Sequence, residues 1–314
     1  MSMLQIAALT GAPDSRYAEA ARRLVRGAYD LHVHTSPSHF PRALDDFALI
    51  EEAEEIGMAG VLIKSHYEPT AARAEIVNRH SGKQVTAFGG VALNWPVGGL
   101  NPYAAQSALA MGAAVVWMPT RDAENCLRFG NMPGDFFTRP GITILEETGK
   151  IRPEVYAILE TVRSYDACLA TGHLSAEESA RLCREGIAMG VRMVLTHPEW
   201  RRTTVPIETQ IEMAQLGVLI EKNWYNAVDG SVSVEQLAAH LDALPCGSVF
   251  LATDRGQADG GRPAKEFLSA LEHMLRCGVE EARLEAAVRL TPRLVLGPMG
   301  DGTERGRAAG ERNG

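Results

Sequence analysis

Eight apolar, β-rich runs recur along the chain, and seven of them end in a polar or ionisable residue. They are AYDLHVH (28–34), GVLIKSH (60–66), VTAFGGVALN (85–94) and AAVVWMP (113–119), then DACLATGH (166–173), VRMVLTH (191–197), GVLIEKN (217–223) and SVFLATD (248–254). Continuous apolar character, rather than strict alternation, marks strands buried on both faces of a parallel sheet. Helical patterns lie between the runs. Residues 44–56 carry Leu44, Phe47, Leu49, Ile50 and Ala53 before Gly57, and 175–189 opens with a Ser175…Glu178 capping box and ends at Gly190. Residues 206–216 end at Gly217, and 233–244 open with Ser233…Gln236. Strand alternating with helix implies parallel pairing through right-handed crossovers.

The run ends at 34, 66, 94, 119, 173, 197, 223 and 254 are separated by 32, 28, 25, 54, 24, 26 and 31 residues. A βα unit takes roughly 25–35 residues when eight of them share the ~250 of a typical barrel. The spacing therefore predicts a (β/α)8 TIM barrel over 28–298 with one insertion, 121–151, after strand 4. The Gly/Pro/Asn content of that insertion reads as a loop with a small hairpin turning near Thr148–Gly149, placed like a lid over the barrel mouth. Residues 1–27 read as an extension with an Arg-rich helix over 14–26, packed outside the barrel. Residues 263–277 and 280–290 read as closing helices, and 299–314 as a disordered tail. A doubly wound open sheet would usually carry a glycine-rich phosphate loop after its first strand. HTSPSHFPR stands there instead.

Composition narrows the class. With 46% hydrophobic and 22% charged residues the 314-residue chain is globular rather than disordered. A formal net charge of −8 leaves no basic excess to neutralise phosphates, so no nucleic-acid partner is expected. No apolar stretch approaches the ~18 residues of a membrane span, and the N-terminus lacks a signal-peptide pattern. The five cysteines (126, 168, 183, 246, 277) are scattered without a CxxC. They read as buried free thiols, which suits a cytoplasmic protein.

Chemistry gathers at the run ends. Functional residues of a (β/α)8 barrel sit at the C-terminal ends of its strands, around one mouth. Residues two apart on a strand face the same side, so His32 and His34 present two imidazoles together. His173, His197 and Asp254 end strands 5, 6 and 8. Four neutral imidazoles and a carboxylate converging there suit one or two divalent ions, zinc above all but also manganese, iron or nickel.

DLHVH, LATGHLS, VLTHPE and LATD resemble the amidohydrolase superfamily of metal-dependent hydrolases, over residues 29–255 and in the right strand order. Within it the chain is most similar to a group known mainly as a domain of unknown function. The resemblance implies that His32, His34, His173, His197 and Asp254 are metal ligands, and that Asp254 also accepts the proton of the attacking water. Strand 4 departs from the superfamily: it ends WMPTRD, without the bridging Lys or Glu of binuclear members. Strand 2 offers Lys64 and His66 instead. Lys64 is then a carbamylated bridging ligand, a substrate contact or a purely structural group, and His66 a ligand, a substrate contact or a structural group. DLHVHT and LIKSH are also similar to the first motifs of PHP phosphoesterases, but Asp254-Arg255-Gly256 lacks their late Asp-x-His.

Cations also gather at the expected mouth: Arg42, Arg121, Arg139, Arg201, Arg202 and Arg255. Several guanidiniums around a metal favour a small anionic organic substrate. Arg42 and Arg255, closest to ligand-bearing strand ends, join Asn94 and Asn223 as candidate substrate contacts. Trp95, Trp117, Trp200 and Trp224 are candidates for an apolar wall, although packing accounts for each as well. The reading is a hydrolase that activates water to cleave a C–N or C–O bond. A PHP-like phosphoesterase, a metal-dependent decarboxylase or lyase, and a non-catalytic metal- or ligand-binding barrel stay open, as does a homo-oligomer.

Overall fold

The computed structural model describes residues 15–135, 138–258 and 260–298. All eight expected strands form: β1 (Tyr29–Val33), β2 (Gly60–Ile63), β3 (Thr86–Ala92), β4 (Ala113–Trp117), β5 (Cys168–Ala170), β6 (Arg192–Leu195), β7 (Leu219–Asn223) and β8 (Val249–Ala252). They lie in sequence order in one sheet, and every adjacent pair is parallel. The architecture is a (β/α)8 TIM barrel.

The seam between first and last strands is made by few contacts. Val33 bridges Arg255 in parallel, the His34 amide donates to the Arg255 carbonyl (2.8 Å), and the Asp254 amide donates to the His32 carbonyl (2.9 Å). The Asp30 carboxylate extends the seam by accepting from the Thr253 amide (3.0 Å) and hydroxyl (2.5 Å).

Two apolar layers explain why the runs read as continuous rather than alternating. Tyr29, Leu31, Leu62, Phe88, Trp117 and Phe250 face the barrel interior, while Val33, Val61, Ile63, Val116 and Leu251 face the helices. Burial on both faces removes the polar half of the usual strand pattern.

In chain order the helices are α1 (Ser15–Val25), α2 (Asp46–Glu55), α3 (Ala71–His80), α4 (Pro102–Ala110), α5 (Glu124–Leu127), α6 (Pro153–Ser164) and α7 (Ala176–Ala188). Then come α8 (Ile207–Gln215), α9 (Trp224–Val228), α10 (Val234–Ala243), α11 (Pro263–Arg276), α12 (Glu281–Glu285) and α13 (Thr291–Leu296). The expected capping box opens α7: Ser175 and Glu178 bond reciprocally. α1 packs against α11 and α12 on the outside of the barrel. Val295 and Leu296 of α13 join the interior cluster next to Tyr29, Ala114 and Phe250, so this helix stops the end of the barrel opposite the mouth.

The 121–151 insertion is more ordered than a loop with one hairpin. The hairpin is there, with Leu145 bridging Ile151 and a turn through Gly149. No local pattern marks the short helix α5 or the Ala123–Ile142 bridge that folds the insertion back on itself. Three cysteines are buried as expected, but Cys246 and Cys277 are exposed; both stand where a helix hands over to a turn. No helix among the described residues is long and apolar enough to cross a membrane. The tail 299–314 and the start of the N-terminal extension lie outside the described residues.

Candidate metal centre

Strand ladders stop one to three residues before most of the expected functional residues. His34, Lys64, His66, Asn94, His173, His197 and Asp254 all follow a strand, while His32 and Asn223 lie within one. The turns that aim them are backbone-demanding. His197 and Asp254 both adopt positive φ (52° each), a region that non-glycine residues enter rarely and at some cost in strain. The surroundings fix both. The His197 carbonyl accepts from the Thr203 hydroxyl (2.7 Å) and the Trp200 amide (3.0 Å), and the Asp254 carbonyl accepts from the Gln257 amide side chain (2.8 Å).

Gly256 has φ 123°, and a Cβ there would stand 1.7 Å from the His34 carbonyl oxygen. Gly256→Ala is therefore expected to lower stability by ~3 kcal/mol or more, among the largest single-residue effects, by forcing apart the seam that carries His34 and Asp254. Thermal unfolding checks it; an unchanged melting temperature would show that the seam yields freely.

Five imidazoles form a closed ring at the mouth. Centroids are 5.3 Å apart for His32–His34, 4.9 Å for His34–His66, 5.8 Å for His66–His173, 5.2 Å for His173–His197 and 4.9 Å for His197–His32. Asp254 stands among them: its Oδ1 lies 3.2 Å from His32 Nε2 and 3.1 Å from His34 Nε2, and its Oδ2 lies 3.7 Å from His197 Nδ1. One ligand atom each from His32, His34 and Asp254 fits within 4.8 Å. The buried Nδ1 atoms of His173 and His197 have no hydrogen-bond partner among the described residues. Buried polar atoms are ordinarily satisfied, so two orphaned imidazole nitrogens, that of His197 3.7 Å from Asp254 Oδ2, fit a divalent ion.

The outer nitrogens of this set are held by neighbours. His32 Nδ1–H donates to Glu221 (2.6 Å), which fixes the tautomer that leaves Nε2 facing Asp254. His34 Nδ1–H donates to the Lys64 carbonyl (2.8 Å), and His66 Nδ1 meets the Thr120 hydroxyl (2.8 Å). Burial, reinforced by cationic neighbours, holds all five histidines well below the ordinary value of 6.5, so they stay neutral and ligand-ready. In the unfolded chain they titrate near 6.5. The metal-free protein is therefore expected to have its full stability above that pH and to lose it as pH falls, at up to about 1.4 kcal/mol per pH unit per histidine. Melting curves of chelator-treated protein between pH 7 and 5 measure the slope, and His66→Gln should make it shallower.

Lys64 is buried, with Nζ 3.1 Å from His32 Nε2 and 5.2 Å above the Trp117 ring. Burial lowers its pKa and raises that of Glu221. The Asn223 amide lies 3.1 Å from His32 Nδ1 and donates to Glu221 (3.3 Å). Asn94 donates to the Thr120 hydroxyl (2.6 Å) and to the His66 carbonyl (2.9 Å). Both asparagines thus support imidazoles from behind, away from the mouth.

Above the ring opens a cavity of about 300 Å³, lined by His34, His66, His173, His197 and Asp254 at its floor. Arg42 and Arg121 stand on its wall with Phe40, Trp200 and Tyr225, and the insertion adds Met132 and Pro133. Four expected mouth cations are elsewhere. Arg255 is buried behind the mouth, 3.5 Å from Glu266 and 5.4 Å over the Tyr225 ring; it follows Asp254 directly and so points the other way. Arg139 pairs with Asp122 and Asp135, Arg201 with Asp229, and Arg202 with the carbonyls of Cys126 and Gly130. Of the tryptophans only Trp200 reaches the cavity.

Two positioning carboxylates escaped the sequence reading. Glu221 was hidden in GVLIEKN and Asp30 in AYDLHVH. The rule that paired His32 with His34 would have found both, since Glu221 stands two before Asn223 and Asp30 two before His32.

A family model described as "Family of unknown function (DUF6282)" matches residues 27–221. No curated protein matches the chain. Among solved structures, an amidohydrolase from Pseudomonas aeruginosa superposes with a TM-score of 0.59 at 12% identity, covering 89% of this chain and 98% of its own. A TatD homolog from Escherichia coli gives 0.53 at 13% identity, with 86% and 98% covered. An organophosphorus hydrolase from Deinococcus radiodurans gives 0.52 at 14%, with 88% and 94% covered. At such identities the likeness is one of fold.

Proposed function

Because the chain belongs to DUF6282, a family of unknown function, its activity has to be argued from the site itself, and we propose that it is a metal-dependent hydrolase cleaving a C–N or C–O bond in a small organic anion. The observation that carries this reading is the convergence of neutral imidazoles, two with orphaned nitrogens, on Asp254 at the floor of a ligand-sized cavity. The structural neighbours, an amidohydrolase and an organophosphorus hydrolase, support hydrolysis in general.

His32, His34, His173, His197 and Asp254 would hold one or two divalent ions, zinc foremost. Such an ion supplies Lewis acidity and a lowered pKa for water. Asp254 takes the proton of the attacking water and delivers it to the leaving nitrogen or oxygen. Glu221 keeps His32 in one tautomer, and Thr120 with Asn94 orients His66 toward the scissile group. Lys64, whose Nζ lies 3.1 Å from His32 Nε2, would join the ligand set as a carbamate in the binuclear form of this proposal. The PHP reading finds no support at Gly256, where the backbone of His34 leaves no room for a side chain. The barrel, residues 28–298, carries the activity, and its free cysteines suit a reducing, cytoplasmic setting.

Metal analysis of protein purified without chelators, followed by reconstitution with Zn²⁺ or Mn²⁺ and a screen of N-acyl amino acids, cyclic amides and lactones, tests the proposal. About two equivalents with turnover support the binuclear form, and about one the mononuclear form with an unmodified Lys64. No metal even after reconstitution would end the hydrolase reading.

A further inference from the structure

The cavity wall holds an arrangement of charge that the metal centre leaves unused. The Arg42 guanidinium lies 4.2 Å from the Phe40 ring centroid and that of Arg121 4.9 Å from the same ring, so one phenyl ring carries two guanidiniums. Two like charges in such proximity repel unless anions lie between them. The nearby carboxylates do not suffice. Asp135 serves Arg121 (3.3 Å) and Arg139 (3.2 Å) together, and Asp122 is taken by Arg139. Arg42 has no carboxylate partner among the described residues; its Nε donates only to the Ser38 hydroxyl, at 3.4 Å. Among the described residues three guanidiniums therefore share Asp122 and Asp135, and Asp254, the further carboxylate whose charge acts on Arg42, belongs to the metal set. Arg121 is 4% exposed, and its buried Nε has no hydrogen-bond partner among the described residues. Burial and the Arg121 charge bring the Arg42 pKa down only to about 10, so Arg42 is cationic at neutral pH.

We propose that Arg42 and Arg121 form a carboxylate subsite on the cavity wall, and that the substrate is a compact carboxylic acid with an apolar body. One carboxylate restores the missing negative charge, and its two oxygens offer acceptors to the donors of both guanidiniums. The body then lies against Phe40, Met132, Trp200 and Tyr225, and the scissile group meets His66 and Asp254 at the floor. A cavity of about 300 Å³ is at the small end for ligand sites, which limits that body to roughly one ring or a short branched chain. The placement of the scissile group rests on the hydrolase reading; the anion subsite does not.

Benzoate, benzamide and phenyl phosphate are the probes, titrated calorimetrically into zinc-loaded and chelator-treated full-length protein. Benzoate is expected to bind at least tenfold more tightly than benzamide in both forms. Arg42→Gln should weaken benzoate about tenfold or more and leave benzamide unchanged, while Arg42→Lys recovers part of the loss. Equal affinity for benzoate and benzamide, or no response to Arg42→Gln in a folded variant, overturns the subsite. Benzoate binding that vanishes on metal removal alone makes the carboxylate a metal ligand and overturns it too. Phenyl phosphate binding more tightly than benzoate, with the same Arg42 dependence, overturns the carboxylate class. Benzoate selectivity without turnover of any screened substrate would instead overturn the hydrolase reading and leave the subsite standing.

Discussion

The His32→Ala/His34→Ala double variant is expected to purify with less than about a tenth of the wild-type metal and to lose hydrolysis by ~10³-fold or more. Losing even an outer-shell partner typically costs 10–100-fold in metal affinity or activity, and here two inner ligands on one strand go together. Both face the same Asp254 oxygen, so no single remaining pair can reproduce their geometry. The change also strands Glu221, a buried carboxylate that loses its imidazole partner, at a cost of about 2 kcal/mol in stability. Circular dichroism and melting curves separate that loss from unfolding. A folded double variant that keeps its full metal complement would move the centre away from these residues.

Asp254→Asn probes the chemistry rather than the ion. Asparagine tolerates the positive φ of this position about as well as aspartate does, and its amide oxygen can still ligate. Metal content should therefore be largely retained. The amide cannot take a proton from water, so kcat is expected to fall by about 10²–10⁴-fold with little change in KM. Steady-state kinetics with the substrate found in the screen decide it. An unchanged kcat would pass the proton-accepting role to His66 or Lys64.

Much of this was legible because one physical cause wrote it twice. Strands covered on both faces show uninterrupted apolar runs, and a barrel whose loops share one mouth places its chemistry where those runs stop. His32, His34, His173, His197 and Asp254 stood out for both reasons. Asn94 and Asn223 sit at the same run ends, yet one supports His66 and the other the His32–Glu221 pair, because a run end does not tell which face of the backbone a side chain takes. Arg255 illustrates the same gap: adjacent to Asp254, it must point away from it. Glu221 and Asp30 were obscured for the opposite reason, as ionisable residues embedded within runs whose apolar character defined the strand. The mouth cations divided on partners that lie far away in sequence, such as Asp229 for Arg201 and the Gly130 carbonyl for Arg202. No local pattern encodes such pairings.

The seam between β1 and β8 has a consequence for biosynthesis. Its contacts join residues more than 200 positions apart, and the segments that meet there are the ones bearing His32, His34 and Asp254. A nascent chain emerging at about 5–20 residues per second holds its first two histidines for ten seconds or longer before their carboxylate partner leaves the ribosome. Contacts of such long range close late in folding. Metal capture by this set is thereby coupled to completion of the polypeptide, and a prematurely terminated chain lacking β8 carries the histidines without the site.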